Sequence, residues 1–253
     1  MVYGFGPSGA KPNLISQEKK MNKESICIGE RFILKSKILG QDRVILVRLP
    51  DKYAGSDVKY PVHYLIDGEY TFHAYSGIIQ LKSYIDGIPD AIIVGIPNIV
   101  RSHDIQPAKN ADKFMEFIAD ELLPKINGNY QANGTNILFG YSSSGNFVIN
   151  NFLNNTEYFD IYIAGSPDGL FYYNESKLPE QIDKIKGNKI LYLSMGDKDN
   201  TKQLEYFNKF CSRLDRIKNE LIDLKFEITH NQTHKSNFLM AIQSGLNYIY
   251  KME

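Results

Sequence analysis

The sequence predicts an α/β protein, a three-layer sandwich whose mostly parallel central sheet is covered by helices and begins with an antiparallel hairpin. Short, nearly continuous apolar runs recur along the chain, which is typical of strands buried on both faces. Stretches with apolar residues three and four positions apart alternate with these runs and predict amphipathic helices. A chain of 253 residues suits one such domain.

The N-terminal part divides into an arm and the start of the sheet. Residues 1–22 are rich in Gly, Pro, Ser and Lys without apolar periodicity, so we expect a flexible arm there. Residues 23–253 show no repeat and no linker, which predicts a single domain. Apolar runs at 31–34 and 43–49 flank a turn at 40–42 and predict an antiparallel hairpin at the sheet edge.

The remaining elements alternate between strands and helices. The predicted buried strands are 62–66, 91–96, 136–139, 161–164, 190–194 and 224–229. One-sided apolar residues predict helices around 114–122, 204–221 and 238–249, and a further helix follows the serine-rich turn at 142–145. The irregular segment 166–187 follows a strand end, where open α/β sheets form ligand crevices.

Composition excludes several functional classes. Lys plus Arg and Asp plus Glu are 29 each, so no net field attracts nucleic acid or an anionic membrane, and a small-molecule substrate is expected. Cys27 and Cys211 are far apart in sequence and predict free thiols. The chain shows no secretion signal or membrane span, so we expect a cytoplasmic protein unless a leader has been cleaved. The histidines lack metal-ligand spacing, and we expect neither metal nor cofactor.

The stretch 136–150 carries the first chemical signal. An apolar strand leads through Gly140-Tyr-Ser-Ser-Ser-Gly145 into a helix. A serine at the tip of such a turn projects its hydroxyl above the sheet, with the next backbone N–H ready to bind an oxyanion. Ser142 is therefore the candidate nucleophile, although a serine here also suits a helix N-cap.

A serine needs a base in hydrogen-bonding reach and an acid that orients this base. Asp197 and Asp199 follow the strand 190–194, and His230 and His234 follow the strand 224–229, which matches the hydrolase order Ser, Asp, His. The residues themselves leave both pairs open, since aspartates also form turns and a histidine can lie on the surface. The loop Asp67-Gly-Glu-Tyr70 after an earlier strand is placed to supply a second oxyanion donor, and Gly68 permits close backbone approach.

Four motifs together resemble the "Putative esterase" family of α/β hydrolases, which includes esterase D, enterobactin-type siderophore esterases and, more distantly, the mycolyltransferases. They are the run 59–68, the run 88–98 followed by Arg101 and Asp104, the serine turn, and Thr233-His-Lys-Ser236 before the last helix. The resemblance extends from about residue 30 to 250. It implies the α/β-hydrolase fold.

The resemblance also implies roles for individual residues. Ser142 becomes the nucleophile, His234 the base and Asp199, through a Gly-x-x-Asp pattern, the orienting acid. The oxyanion donors become the backbone N–H groups of Glu69 and Ser143. We expect the substrate to contact four side chains, those of Tyr70, Arg101, Phe171 and Tyr172.

Two departures from the family pattern are present. The Gly-x-Ser-x-Gly turn has Ser144 at its last position, which predicts a somewhat crowded turn that keeps its activity. A tryptophan pair common after Ser-Pro is replaced by Phe171 and Tyr172. The leading prediction is a serine esterase that forms an acyl-enzyme. The alternatives are a catalytically silent binding protein on this scaffold and an acyltransferase to an acceptor other than water.

Overall fold

The computed structural model describes residues 26–54, 57–106 and 110–252. The predicted arm at residues 1–22 lies outside this part of the chain. Eight strands are present in it: β1 Glu30–Ser36, β2 Gln41–Arg48, β3 Tyr60–Ile66, β4 Ile92–Ile96, β5 Ala132–Tyr141, β6 Ile161–Gly165, β7 Lys189–Gly196 and β8 Ile222–Thr229.

The strands form one sheet in the order β1-β2-β4-β3-β5-β6-β7-β8. β1 pairs antiparallel with β2, and β2 pairs antiparallel with β4. The pairs from β4 through β8 are all parallel. Every residue of β3 and β4 is buried, as a strand covered on both faces requires. The predicted mostly parallel sheet with an antiparallel N-terminal hairpin is confirmed.

Helices cover both faces of this sheet. They are α1 Gly68–Ile85, α2 Arg101–Ile105, α3 Ala111–Phe117, α4 Leu123–Asn129, α5 Ser143–Asn154, α6 Leu178–Asp183, α7 Thr201–Ile217 and α8 Asn237–Ile249, with a π-helical turn at Ile118–Leu122 and a 3₁₀ turn at Leu170–Tyr172. One apolar cluster joins the sheet to α1 and α8, and a larger cluster joins the other face to α3 through α7. The molecule therefore has the three predicted layers. No helix of the described residues is both long and apolar enough to cross a bilayer.

Two of the differences from the prediction concern helices α1 and α7. The segment Asp67–Tyr70 was expected to be a loop, but Gly68 begins the 18-residue helix α1. The face that α1 buries includes Thr71, Ser76 and Lys82, so its apolar periodicity is weak in the sequence. The helix predicted over 204–221 ends at Ile217, because the chain turns there and the Asn219 side chain binds the N–H of Leu221.

The sheet brings three chain segments together at the carboxyl ends of its parallel strands. Tyr141 of β5 pairs with Gly165 of β6, and Gly165 pairs with Ser194 of β7. The backbone continues this alignment beyond the strands, because Ser142 N–H donates to the Gly165 carbonyl (2.9 Å) and Ser166 N–H donates to the Ser194 carbonyl (2.7 Å). Residues that follow these strands therefore lie side by side.

Candidate active site

Ser142 lies at the tip of a strained turn between β5 and α5. Its backbone has φ 60° and ψ −125°, a combination that a non-glycine residue rarely adopts and that costs about 1–3 kcal/mol. The turn is tight enough that a Cβ on Gly140 would lie 2.2 Å from the carbonyl oxygen of Ser144, so only glycine fits there. The Ser142 side chain does not cap α5. Its hydroxyl is instead turned toward other side chains.

Ser144 occupies the position where the family pattern has glycine. It is fully buried, and its hydroxyl donates to the Tyr141 carbonyl and accepts from the Tyr141 N–H, both at 2.8 Å. These two bonds tie the end of β5 to the first turn of α5. The serine side chain is thus accommodated inside the turn by hydrogen bonds, and the expectation of a somewhat crowded turn that keeps its activity stays a prediction.

His234 reaches Ser142 from the segment between β8 and α8. Its Nε2 lies 3.0 Å from Ser142 Oγ, and its Nδ1 lies 2.9 Å from Asp199 Oδ2. The Asp199 side chain is 3% exposed, whereas that of His234 is 39% exposed. A carboxylate can only accept, so Nδ1 carries a proton and the Nε2 of a neutral ring faces the serine as an acceptor. The three side chains form one line of hydrogen bonds.

The second aspartate and histidine considered from the sequence lie together elsewhere. Asp197 Oδ2 is 2.8 Å from His230 Nδ1, and the His230 side chain is 95% exposed. Asp197 also accepts from the Gln232 N–H, so it orders the turn that follows β8. Hydrogen bonds to backbone N–H groups, opposed by desolvation and aided by His230, lower the pKa of Asp197.

Tyr141 holds the His234 segment and carries no sequence signal of such a role. Its hydroxyl hydrogen-bonds the backbone carbonyl of His234 and lies 3.0 Å from Ser166 Oγ. Ser166 is fully buried at φ 39° and also accepts from the Asn237 side chain at the start of α8. Burial raises the pKa of Tyr141 to about 12, so its hydroxyl stays protonated. β5, β6 and α8 are thus linked behind the histidine.

Asp168 touches the candidate nucleophile and was also not identified from the sequence. Its Oδ2 accepts from Ser142 Oγ (3.1 Å) and Ser143 Oγ (3.0 Å), and its Oδ1 accepts from the Asn146 amide (2.5 Å). It follows Ser166-Pro167, directly beyond β6. An aspartate in such a position is indistinguishable from a turn residue until the pairing of β6 with β5 is known.

The two expected oxyanion donors lie at helix starts on neighbouring strands. Ser143 is the first residue of α5 and Glu69 the second residue of α1, and the first N–H groups of a helix have no partner within it. β3 and β5 are paired in parallel, with Leu65 beside Phe139, so both helices begin at the carboxyl ends of neighbouring strands. A Cβ on Gly68 would lie 2.4 Å from the Ile96 backbone nitrogen, which explains the glycine there.

An ion pair between Arg101 and Asp67 stabilises the start of α1. Asp67 has φ 58°, is 5% exposed and accepts two hydrogen bonds of 2.7 Å from the Arg101 guanidinium. The Asn98 amide reaches the same carboxylate at 2.6 Å. The Arg101 side chain remains 40% exposed. The Arg101 guanidinium pairs with Asp67, two residues before the expected oxyanion donor Glu69.

The three aromatic residues expected to contact substrate are all exposed. Tyr70, in the first turn of α1, is 76% exposed. Phe171 and Tyr172 are 45% and 82% exposed, with ring centroids 4.0 Å apart, in the 3₁₀ turn after Asp168. The described residues contain no cluster of three or more His, Cys, Asp or Glu side chains placed to hold a metal ion.

A three-layer sandwich with this strand order and a serine on the turn after its central strand is an α/β-hydrolase fold. The profile of the family described as "Putative esterase" matches residues 36–225, a stretch that includes Ser142 and Asp199 and ends before His234. The chain belongs to this family.

Comparison with individual proteins agrees with that assignment. The chain is 27% identical to the ferri-bacillibactin esterase BesA of Bacillus subtilis (strain 168) over 43% of this chain, and the match spans about half (47%) of that relative's length. An IroE-like serine hydrolase from Shewanella oneidensis has a similar structure, with a TM-score of 0.81, 25% identity, and coverage of 88% of this chain and 80% of that one. The BES protein from Bacillus cereus has a TM-score of 0.78 at 24% identity, covering 90% of this chain and 98% of its own.

Proposed function

We propose that this protein is a serine hydrolase that cleaves carboxylic esters through an acyl-enzyme. The observation that carries the proposal is the line of hydrogen bonds from Ser142 Oγ to His234 Nε2 (3.0 Å) and from His234 Nδ1 to Asp199 Oδ2 (2.9 Å). The line begins at a strained turn, where a rarely populated backbone conformation is typical of a functional residue. Membership of an esterase family supports the same reaction.

The first half of the reaction follows from these positions. His234 Nε2 takes the hydroxyl proton while Ser142 Oγ attacks the carbonyl carbon of the ester. The Asp199 carboxylate stabilises the imidazolium and keeps its Nδ1–H oriented. The backbone N–H groups of Ser143 and Glu69 donate to the oxyanion that develops on the carbonyl oxygen. His234 then gives its proton to the departing alcohol, which leaves the acyl group on Ser142.

Water completes the reaction by the same steps. His234 takes a proton from water, the hydroxide attacks the acyl carbon, and the proton returns to Ser142 as the carboxylic acid leaves. Asp199 keeps its hydrogen bond to the Nδ1–H of His234 through both halves of the reaction. This chemistry needs no cofactor.

The substrate class is proposed from the surroundings of Ser142. Tyr70, Phe171 and Tyr172 offer exposed aromatic surface that can pack against an acyl or alcohol group, and Arg101 keeps part of its side chain exposed. The relative BesA is named a ferri-bacillibactin esterase, so ferri-bacillibactin is a further substrate to test. Transfer of the acyl group to another alcohol uses the same groups, with the acceptor replacing water.

The proposal is tested with a panel of p-nitrophenyl esters that varies acyl length and aromatic character. Wild type, Ser142→Ala and the exposed control Ser176→Ala are compared for kcat/KM. Ser142→Ala is expected to lose about 10⁴-fold or more, whereas Ser176→Ala retains full activity. Equal activity in wild type and Ser142→Ala would contradict the proposal. Added alcohols with product analysis by mass spectrometry distinguish acyl transfer from hydrolysis, and a folded wild type inactive on every ester would favour the silent binding protein.

A further inference from the structure

Asp168 competes with His234 for the single proton of the Ser142 hydroxyl. Both acceptors are in hydrogen-bonding reach, with distances from Ser142 Oγ of 3.1 Å to Asp168 Oδ2 and 3.0 Å to His234 Nε2. A hydroxyl donates only one hydrogen bond. When the proton points to His234, as attack requires, Asp168 Oδ2 keeps Ser143 Oγ as its remaining donor and loses Ser142.

This loss leaves part of a carboxylate's hydrogen-bonding capacity unfilled beside the reacting carbon. Asp168 is only partly buried and its other oxygen is held by Asn146 at 2.5 Å, so the side chain is fixed with Oδ2 toward the serines. An acceptor that loses a donor in a partly desolvated site raises the free energy of the complex unless the incoming molecule replaces the donor. A substrate with an N–H group or a positive charge near the ester supplies that replacement.

The charges around Asp168 do not neutralise it. Within the described residues no Lys, Arg or His forms an ion pair with Asp168. Arg101 is close enough for its charge to interact with that of Asp168, but its two short hydrogen bonds go to Asp67. The pKa of Arg101 is raised, first by hydrogen bonding to Asp67, against the effect of partial burial, and further by the charges of Asp67, Asp168 and Glu69. The guanidinium is therefore surrounded by an excess of carboxylates.

The aromatic residues next to Asp168 suit the same kind of ligand. Phe171 and Tyr172 pack with ring centroids 4.0 Å apart, and Tyr206 of α7 lies 5.4 Å from Phe171. Exposed ring faces attract ammonium and guanidinium groups. An anion would meet a carboxylate at the nucleophile and aromatic faces beyond it, both unfavourable.

We propose that Asp168 sets the charge selectivity of this site, favouring esters with a cationic or hydrogen-bond-donating group near the scissile bond and disfavouring esters with a carboxylate there. The inference rests on the proposed ester hydrolysis. It assigns Asp168 to substrate recognition and leaves proton transfer to His234.

The test uses three p-nitrophenyl esters of matched chain length, whose acyl chains end in a trimethylammonium, a tert-butyl or a carboxylate group. The measured quantity is the ratio of kcat/KM for the ammonium ester to that for the carboxylate ester. A unit charge a few ångströms from a partly exposed carboxylate makes this ratio about tenfold or more in wild type. Asp168→Asn should bring the ratio close to one, and raising the ionic strength should lower it in wild type.

Asp120→Asn is the matched control. Asp120 is an exposed carboxylate whose charge acts on Tyr158, ahead of β6 and away from the serine turn. The Asp120→Asn variant loses the same charge as Asp168→Asn but should keep the wild-type ratio of kcat/KM for the ammonium and carboxylate esters. Should Asp168→Asn fail to fold, as judged by circular dichroism, Asp168→Ser and the salt dependence of wild type carry the same test.

The outcomes are distinguishable. A wild type that hydrolyses both charged esters equally, or an Asp168→Asn protein that keeps the full preference, would overturn the selectivity while Ser142-dependent hydrolysis still stands. A loss of preference in Asp120→Asn equal to that in Asp168→Asn would overturn it as well. If none of the three esters is cleaved in a Ser142-dependent way, the proposed function fails and the selectivity fails with it.

Discussion

Two histidines of this protein have both ring nitrogens bound by other side chains, yet their surroundings are opposite. His234 lies between a carboxylate and a serine hydroxyl, at the edge of the sheet, with 39% of its side chain exposed. His63 of β3 is fully buried between the hydroxyls of Tyr75 (2.8 Å) and Tyr250 (2.9 Å). Tyr75 belongs to α1 and Tyr250 follows α8, so His63 joins the two helices of one layer to the sheet.

The difference between the two sets of partners indicates which histidine is suited to act as a base. A carboxylate stabilises the imidazolium, and a hydroxyl at the tip of a strained turn has room for a substrate. Two buried phenols offer no compensating charge, and burial lowers the pKa of His63 to about 3. We therefore expect changes at His234 to affect catalysis and changes at His63 to affect stability.

The largest expected effect separates the two histidines directly. His234→Gln should lower kcat/KM for a p-nitrophenyl ester by about 10³-fold or more, because the variant lacks the base, while its thermal stability stays near wild type. His63→Gln should keep kcat/KM within about threefold but lower the free energy of unfolding by about 1–3 kcal/mol, since buried phenols lose a partner. Steady-state kinetics and urea unfolding of both variants measure this. Comparable losses of kcat in both would break the comparison.

The next effect concerns the carboxylate that distinguishes His234. Asp199→Asn should lower kcat by about 10²- to 10⁴-fold, because an amide does not stabilise the imidazolium and can favour the wrong tautomer. Asp197→Asn is the matched control, two residues earlier, where the side chain contacts the exposed His230. We expect it to change kcat by less than about threefold. A larger loss at Asp197 would reverse the assignment.

His63 also predicts a pH dependence of stability. Its folded-state pKa of about 3 lies below the ordinary value of 6.5, so between these values the unfolded state binds a proton that the folded state does not. His63 therefore leaves the free energy of unfolding unchanged at pH values above about 6.5. As the pH falls below this value, His63 lowers the free energy of unfolding by about 1.4 kcal/mol per pH unit. Urea unfolding at pH 6.5 and 5 should show a loss of about 2 kcal/mol that is absent from His63→Gln. An identical loss in both proteins would assign the effect to other groups.

The smallest effect compares the tyrosines that hold each histidine. Tyr141→Phe removes the hydroxyl that binds the His234 backbone carbonyl, and we expect kcat to fall by about three- to tenfold with KM little changed, because the ring is less well positioned. Tyr250→Phe removes one partner of His63 and should cost about 1 kcal/mol of stability at unchanged kcat. Thermal unfolding beside kinetics checks both variants, and a stability loss at Tyr141 without a kinetic effect would contradict its positioning role.

The fold was largely predictable from the sequence, because strands such as β3 and β4 are buried on both faces and appear as unbroken apolar runs. Helix α1 was not predicted, since its buried face carries Thr71, Ser76 and Lys82 while Tyr84 and Ile85 are exposed. The apolar residues of α1 therefore do not show a helical period in the sequence.

The candidate site divides along the same line. Ser142 could be named from its turn, and the order Ser, Asp, His limited the acid to Asp197 or Asp199 and the base to His230 or His234. The family resemblance alone selected Asp199 and His234 from these pairs. Asp168 and Tyr141 could not, because their roles come from contacts across β5, β6 and α8 that no spacing in the sequence records. His63 belongs to a motif of the family resemblance, the run 59–68, but the structure buries it away from the candidate site.

The most direct test of the central claim is labelling with a fluorophosphonate, which reacts with a serine only when a neighbouring base activates it. Wild-type protein is incubated with the reagent, and the modified peptide is identified by mass spectrometry. We predict stoichiometric modification of Ser142, retained in His63→Gln and lost in His234→Gln. A folded wild type that remains unlabelled, or modification at Ser142 that persists unchanged without His234, would contradict the account.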